Sequence, residues 1–227
     1  MTFQANISEF AEFMGTEIKR IEKKIPEGSS DQSSDSMIIT GNGRPDKPGT
    51  TGGKIQGYEP TGTFYNSTDG AGVGAYLWQK QKGKWNVVSA DTGVRRITDG
   101  AVNIKSGYVT LRRVNNTVEC AFTGGSWGAI YFYGSGSKEF RRKSHPKRMD
   151  LLGNSKIPIG FRATNSIMLP FYGDDGEHLG MVYIGGTGNF NYIELRFTDK
   201  PPTADMDIVR MPVISWITDE PFPDRLP

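Results

Sequence analysis

The sequence has very little of the residues that most enzymes and metal proteins use for chemistry. Cys120 is the only cysteine, and His145 and His178 are the only histidines, among 227 residues. A single cysteine excludes an intrachain disulfide and any metal site built from several cysteines. The two histidines stand in separate turn-like contexts, so neither has an evident partner for a nucleophile–histidine pair. We therefore expect no enzymatic activity, no cofactor and no metal, and folding in a reducing cytoplasm.

Neither an excess of charge nor a long apolar run is present. The 27 Lys and Arg oppose 25 Asp and Glu, so the net charge is +2 and no overall field favours a nucleic-acid partner. No apolar run approaches the ~20 residues that span a bilayer. The first residues, "MTFQANISEFAEFMG", lack the basic and apolar regions of an export signal. We expect a soluble protein without membrane insertion.

Glycine and proline are plentiful instead. The chain has 29 Gly and 13 Pro, and only 36% of it is hydrophobic. This composition is typical of short strands joined by many turns. We predict a mainly β protein.

Residues 1–26 form the one segment with a helical pattern. Their apolar residues are spaced by three or four positions, which places them on one stripe of a helix whose other faces are charged. We predict an N-terminal α-helical coiled-coil stalk that makes the protein a homo-oligomer; packing of the helix against its own or a neighbouring domain is the alternative. The predicted oligomerisation residues are Phe3, Ile7, Phe10, Met14, Ile18, Ile21 and Ile25.

Residues 27–60 lack a periodic pattern. Pro26 ends the helix, and "EGSSDQSSDS" follows without an apolar side chain. The next stretch, "GNGRPDKPGTTGGK", is rich in Gly and Pro, which favours an extended connector. We predict an extended linker over 27–60.

Residues 61–98 predict a small β module built on a hairpin. One alternating run, typical of a strand, contains Tyr76, Trp78 and Lys80 at every second position. The segment "QKGK" supplies a turn, and a second alternating run begins with Trp85 and Val87. A two-residue turn sets Lys80 opposite Trp85, which brings the two indoles to one face of the sheet. We interpret these indoles as the core of the module rather than as a ligand platform.

Residues 99–227 repeat the β pattern on a larger scale. Short alternating runs are separated by "NN", "GSGS", "GDDGE" and "GGTGN". Six or more antiparallel strands predict a C-terminal β-sandwich head of the jelly-roll type. We expect its core to contain Val109, Leu111, Val114, Val118, Cys120, Phe122, Ile167, Leu169, Val182, Ile184, Ile193, Leu195, Val213 and Trp216.

One part of the head carries the candidate ligand-binding residues. The run "FRRKSHPKR" is the most charged segment, and three aromatic residues precede it. Arginine suits bidentate contacts to phosphate or carboxylate, and flat aromatic rings match the C–H face of a sugar. A solvated loop beside a core strand is the alternative. The candidate residues are Trp127, Tyr131, Tyr133, Arg141, Arg142, Lys143, Lys147 and Arg148.

The cluster of acidic residues in "YGDDGE" does not indicate a catalytic site. Asp174, Asp175 and Glu177 are neighbours in a Gly-bounded turn. A glycosidase places its two carboxyl groups across a cleft, about 5 to 10 Å apart. We expect a plain turn here.

Several stretches together resemble a known group of proteins. They are "GRPDKPGTT", "GTFYNSTDGAGVGAYLWQKQKGKWNVVSADTG", "YVTLRRVNNTVECAF", "IPIGFRAT" and "ISWITDEPFP". The chain resembles, over about residues 41 to 122 and 157 to 223, the minor tail proteins (tail fibre or receptor-binding proteins) of siphophages that infect actinobacteria and other Gram-positive bacteria. No catalytic residue comes with this group.

The resemblance implies where the protein is located and what it does. It implies a homotrimer at the tail tip of a virion, made in the cytoplasm of the host bacterium. The N-terminal region would attach to other tail-tip or baseplate proteins, and the head would adsorb to a host cell-wall polysaccharide. The alternatives are a purely structural tail-tip component without receptor contact and a cellular carbohydrate-binding module, with a nucleic-acid binder last.

Overall fold

Short runs in which apolar and polar residues alternate fold into strands, and these strands are spread along the described chain. The computed structural model describes residues 38–123, 130–132, 145, 147–186, 191–199 and 206–227. Strand accounts for 49% of the structure and helix for 4%, so the protein is mainly β. The strands are β1 (Ile38–Gly41), β2 (Phe64–Ser67), β3 (Ala75–Gln81), β4 (Lys84–Ala90), β5 (Arg95–Ile97), β6 (Ile104–Ser106), β7 (Tyr108–Val114), β8 (Thr117–Thr123), β9 (Ile130–Phe132), β10 (Arg148–Leu152), β11 (Ile167–Gly173), β12 (His178–Ile184), β13 (Ile193–Phe197), β14 (Met206–Arg210) and β15 (Ile214–Ile217).

The first sheet has the strand order β1-β2-β3-β4, with β1 parallel to β2 and the other pairs antiparallel. The predicted hairpin register is confirmed, because Lys80 pairs with Trp85 and Gln81 with Lys84. Lys82 and Gly83 have φ of 49° and 76°. Two positive φ angles define the type I′ turn, whose twist matches that of the strands.

Trp78 lies in the core of this sheet. Its side chain is 2% exposed, and its indole N–H donates to the Ala75 carbonyl at 3.2 Å. Tyr65 and Ile55 are buried in the same cluster, and so is Phe222 from the far end of the sequence. The interpretation of Trp78 as core is confirmed, whereas Trp85 is only half-buried and packs at the border of the cluster.

Two further sheets share the main hydrophobic core. The second sheet has the order β15-β8-β7-β5, and the third has the order β10-β13-β12-β11-β14-β9-β6, with antiparallel pairing throughout both. The two sheets supply alternate residues to one buried cluster. Its largest buried side chains include Phe161, Phe171, Leu111, Leu151, Leu152, Ile157, Ile184 and Ile193.

Ten of the fourteen expected core residues are buried in this cluster, Ile167 and Leu169 pack against it while partly buried, and the other two lie outside it. Val114 is 40% exposed and Val213 is 63% exposed. Val114 is the last residue of β7, next to a turn, and Val213 precedes β15, where Ile214 and Trp216 are the buried residues. Alternation in a strand places successive side chains on opposite faces, so a shift of one residue reverses the assignment.

The predicted fold class is wrong in its helical part. The part of the chain that the structure describes contains no helix of seven residues or more and no helical coiled-coil stalk. Residues 1–26, with the seven oligomerisation residues from Phe3 to Ile25, lie outside that part. An apolar stripe stabilises a helix only when a partner covers it, and the sequence showed the stripe without the partner. Among the described residues, no helix is long and apolar enough to cross a membrane.

Residues 38–60, which we expected to be extended linker, are folded into the first sheet. Ile38–Gly41 form β1, Pro48–Thr50 form a 3-10 turn, and Ile55 is 3% exposed. Gly43 has φ +82°, and a Cβ there would come within 2.1 Å of the Thr50 carbonyl oxygen. The glycines and prolines of this stretch therefore make tight turns rather than an extended connector.

Candidate functional site

Most of the ligand-binding residues that we predicted in the head lie outside the part of the chain that the structure describes. Trp127, Tyr133, Arg141, Arg142 and Lys143 fall outside the described ranges. The backbone of Tyr131 lies in β9, opposite Ser106 in β6.

The two remaining predicted residues, Lys147 and Arg148, have partners within the protein. The Lys147 ammonium donates to the carbonyl of Thr198. A guanidinium nitrogen of Arg148 lies 3.6 Å from a carboxylate oxygen of Glu194, which is fully buried. Both side chains therefore support the head itself in the described structure.

A different site, which we name the Arg44 groove, lies where the first sheet meets the second sheet and the C-terminal segment. It consists of three cavities of about 370, 500 and 650 Å³. Asp46 lines all three, Trp85 lines the first two, and Phe222 lines the last two. The cavities therefore lie next to one another.

Arg44 forms one wall of the groove and is held by four contacts to oxygen. Its Nε and Nη2 donate to the two carboxylate oxygens of Asp46 at 2.9 and 2.8 Å. Its Nη1 reaches the Pro223 carbonyl at 3.1 Å and Asp224 at 3.0 Å. The guanidinium carbon lies 5.3 Å from the Trp78 ring centroid. The hydrogen bond to Asp46 raises the pKa of Arg44 despite its burial. The Arg44 guanidinium is thus a fixed, fully charged group.

Trp85 lines the two smaller cavities. Its ring meets that of Tyr65 edge-on, with centroids 6.2 Å apart, and the Lys80 ammonium lies 5.8 Å from the Trp85 centroid. These contacts fix the indole, yet the side chain keeps part of its surface exposed and lines two cavities. The indole therefore offers a flat apolar surface to a ligand.

The Lys80 ammonium that contacts the Trp85 ring belongs to a buried ion pair with Glu59. The Lys80 ammonium lies 3.0 Å from Glu59 and donates to the Gly57 carbonyl at 2.8 Å; both charged side chains are under 8% exposed. Burial raises the pKa of Glu59, but hydrogen bonds from the Gln56 amide, from Lys80 and from the Gly57 amide outweigh it and leave that pKa lowered. Lys80 is therefore anchored to an ionised carboxylate.

Arg113 forms the floor of the middle cavity. Its Nε donates to the Asn115 carbonyl at 2.6 Å, and its two Nη atoms donate to the carbonyls of Gly160, Pro221 and Glu220 at 2.6 to 3.0 Å. Burial lowers the pKa of Arg113 to about 10, so the group is still cationic at neutral pH. This one side chain joins β7 to two segments far away in the sequence.

The carboxylate of Glu220 completes the junction. It accepts from the amides of Gly160 at 2.5 Å and Arg162 at 3.4 Å. Gly160 has φ +91°, and a Cβ there would lie 2.9 Å from Pro223. Only glycine allows the "IPIGFRAT" loop to approach the C-terminal segment this closely.

Parts of five separate stretches of the sequence therefore meet around one groove. Arg44 and Asp46 come from "GRPDKPGTT", Trp85 comes from the hairpin, and Phe222 comes from "ISWITDEPFP". No protein family, curated protein or solved structure matches this chain. The chemistry of the groove must therefore be derived from its own residues.

The lining combines flat apolar surfaces with fixed polar groups. The exposed residues Asn86, Asn115 and Asn116 line the middle cavity beside Trp85 and Phe222. Amides donate and accept at once, as sugar hydroxyls do, and aromatic rings pack against the C–H faces of sugars. This arrangement suits the non-covalent binding of a carbohydrate.

The carboxylates of the groove have structural partners. Asp46 is engaged by Arg44, and Glu220 by two amides. A general acid instead needs a carboxyl group in an apolar setting that favours its neutral form. Across the residues that the structure covers, no group of three possible metal ligands occurs. In the "YGDDGE" segment, Asp174 accepts a hydrogen bond from the Arg210 guanidinium. Asp175 accepts a hydrogen bond from the backbone amide of Glu177, which confirms the predicted turn.

Sequence reasoning missed Arg44 and Asp46, because their stretch was predicted to be a linker. A signal was present: an Arg two residues before an Asp, with Pro45 fixing the backbone between them, favours a local bidentate pair. Trp85 was noticed but assigned to the scaffold. Its pairing opposite a lysine, rather than opposite an apolar residue, is typical of a position at the border of a core.

Proposed function

We propose that this protein is a non-enzymatic component of a bacteriophage tail tip that binds a polysaccharide of the host cell surface through the Arg44 groove. One observation carries the proposal. Segments separated by up to 179 residues converge on a groove in which a fixed, partly exposed indole faces polar side chains.

The proposal includes an assembly. We propose that three copies form a homotrimer in the virion and that the N-terminal region attaches it to other tail-tip or baseplate proteins. The resemblance to siphophage minor tail proteins supports this part. Light scattering of the full chain tests it, since three chains of 25.0 kDa weigh three times as much as one.

The binding test compares two aromatic truncations. Full-length protein, labelled at its amino terminus, is incubated with purified cell walls from a panel of actinobacteria and other Gram-positive bacteria. Trp85→Ala is expected to reduce the affinity for the walls that bind by about tenfold or more, through loss of the stacking surface. Tyr58→Ala is the matched control, because Tyr58 is an aromatic residue that is 82% exposed and does not line the three cavities.

The alternative function is a purely structural tail-tip component. The network of carbonyl contacts around Arg113 favours it, because that network serves to lock three segments together. Failure of the wild-type protein to bind any wall in the panel supports the structural role. Equal binding by Trp85→Ala and Tyr58→Ala would show that the groove is not the binding site.

A further inference from the structure

The smallest cavity of the Arg44 groove, at about 370 Å³, places a buried ammonium group beside the partly exposed indole of Trp85. We infer that one sugar unit of the ligand lies against Trp85 in this cavity and accepts a hydrogen bond from the Lys80 ammonium. Lys80 is then a binding residue and not only a support of the hairpin. This inference rests on the proposed function.

Lys80 is buried but borders the cavity. It pairs with Trp85 across the β3–β4 hairpin. Its ammonium lies 5.8 Å from the centre of the Trp85 ring and 2.8 Å from the Gly57 carbonyl oxygen. Gly57 and Trp85 line the smallest cavity, and so does Lys80 itself. The ammonium is therefore close to two residues that a ligand in this cavity would contact.

The ammonium group has one N–H more than its hydrogen bonds within the protein use. A lysine ammonium carries three N–H donors. Among the residues that the structure describes, Lys80 donates to Glu59 Oε2 at 3.0 Å and to the Gly57 carbonyl, and it makes no third side-chain hydrogen bond. A charged donor makes a hydrogen bond roughly twice as strong as a neutral one. A ligand oxygen that accepts from the third N–H therefore gains affinity.

Glu59 holds this donor in place. Its Oε1 accepts from the amides of Gln56 and Gly57 at 2.5 and 3.0 Å, and its Oε2 accepts from Lys80. The carboxylate thus ties Lys80 to the turn that contributes Ile55 and Gly57 to the cavity. A donor that is already fixed loses less conformational entropy on binding than a lysine that is free on the surface.

The other groups of the cavity complement a sugar unit. Trp85, Pro48 and Ile55 supply apolar surface for the C–H groups of the ring. The Asp46 carboxylate has about four acceptor positions, of which Arg44 occupies two. Hydroxyl groups both accept and donate, so those of one sugar can pair with Lys80 and with Asp46. The volume of about 370 Å³ lies within the range of small-molecule sites, about 300 to 1,000 Å³.

Wall binding of lysine variants tests the inference. Lys80→Met is expected to weaken binding to the cell walls by about tenfold or more. Lys82→Met is the matched control and should bind like the wild type, because Lys82 is an exposed lysine of the same hairpin that does not line the three cavities.

A double variant separates lost binding from lost folding. Lys80→Met leaves the Glu59 carboxylate buried without its cation, which destabilises the protein. Glu59→Gln combined with Lys80→Met removes both charges, so its melting temperature should be closer to that of the wild type. Its wall affinity should still be about tenfold or more below that of the wild type.

Single sugars show whether Lys80 contacts the ligand directly. The protein is labelled with fluorotryptophan, and the fluorine signal of Trp85, assigned with Trp85→Phe, is followed while methyl glycosides of common cell-wall sugars are added up to about 100 mM. Analogues that lack one hydroxyl each are then compared. In the wild type, removal of one particular hydroxyl should raise Kd by about fivefold or more; in the double variant the same removal should change Kd by less than about twofold. A lysine that only positioned Trp85 would not produce this difference.

The outcomes separate the inference from the proposed function. Three results would overturn the inference: wall binding by the folded double variant within about threefold of the wild type, no shift of the Trp85 signal with any glycoside, or equal losses on hydroxyl removal in both proteins. In each case the proposed function still stands if Trp85→Ala reduces wall binding as expected. If Trp85→Ala binds like the wild type, the proposed function itself fails.

Discussion

The guanidinium carbon of Arg113 lies 5.0 Å from the ring centroid of Phe222. Arg113 belongs to the second sheet, and Phe222 is buried in the core of the first sheet. The same guanidinium donates to the carbonyls of Pro221 and Glu220, so the cation fixes both the ring and the backbone that carries it. The two cores of the described structure are thus joined by one arginine.

Arg113→Lys is expected to destabilise the protein by about 2 to 4 kcal/mol, because an ammonium cannot reach the four carbonyls and leaves some of them without a donor. Arg112→Lys, in the neighbouring position of β7, loses only the two-pronged geometry of an exposed ion pair with Asp91 and is expected to leave the free energy of unfolding nearly unchanged. Urea unfolding followed by tryptophan fluorescence measures both values. Equal losses for the two variants would contradict the role of Arg113.

Alanine substitutions at two glycines distinguish the cost of a strained backbone angle from the cost of a steric clash. Gly74 and Gly83 have similar φ, 84° and 76°. A Cβ on Gly83 meets nothing within 4 Å, whereas one on Gly74 would lie 1.9 Å from the Asp91 carbonyl oxygen. We expect Gly83→Ala to cost about 1 to 2 kcal/mol and Gly74→Ala considerably more, to the point of lost soluble yield. Similar unfolding midpoints for the two variants would contradict the close approach of β3 and Asp91.

Acid is expected to weaken the support of the groove. Hydrogen bonds from the Gln56 amide and Lys80 lower the pKa of Glu59 against the effect of burial, and a hydrogen bond from Lys47 lowers that of Asp224. A lowered folded-state pKa gives stability that is present above the ordinary values, 4.5 for Glu59 and 3.8 for Asp224, and is lost as the pH falls below them.

The melting temperature should therefore fall as the pH drops from about 5 to about 3. Glu59→Gln removes one of the groups that titrate in this range, so its melting temperature should be lower at neutral pH and should depend less on pH over that interval. Circular dichroism melts in a series of buffers measure both curves. Parallel curves for the wild type and the variant would show that Glu59 contributes nothing to the acid response.

Cys120 is expected to report global unfolding. Its thiol is fully buried in the main core, and burial, with a smaller effect from Glu119, raises its pKa. The thiolate is the reactive form, so a disulfide reagent should not modify the folded protein at neutral pH. Val213→Cys is the control, because that position is 63% exposed and a thiol there should react at once. Fast modification of Cys120 without denaturant would indicate local opening of β8.

Local patterns predicted the parts of the fold that depend on neighbours in the sequence. The hairpin register follows from a two-residue turn between alternating strands, and Lys80 does pair with Trp85. Most of the core of the head follows from period-two alternation, with the end positions Val114 and Val213 assigned to the wrong face. Such patterns record which side of a strand is apolar, and this is what packing selects.

The candidate site could not be predicted in the same way. Arg44 meets Pro223 across 179 residues, and Arg113 meets Pro221 across 108. Their partners are mainly backbone carbonyls, which any residue supplies, so no particular side-chain type marks the contact in the sequence. The Gly- and Pro-rich stretch around Arg44 resembled a linker because turns and linkers use the same residues.

The burial of Phe222 beside Trp78 and Tyr65 also constrains the order in which the protein folds. During synthesis the four strands of the first sheet leave the ribosome long before residue 222 does, and until then their core has an unfilled position. Domains generally fold as they emerge, but contacts distant in sequence form late and slowly. The first sheet should therefore reach its final stability only after nearly the whole described chain has been made, and the Arg44 groove would be among the last features to form.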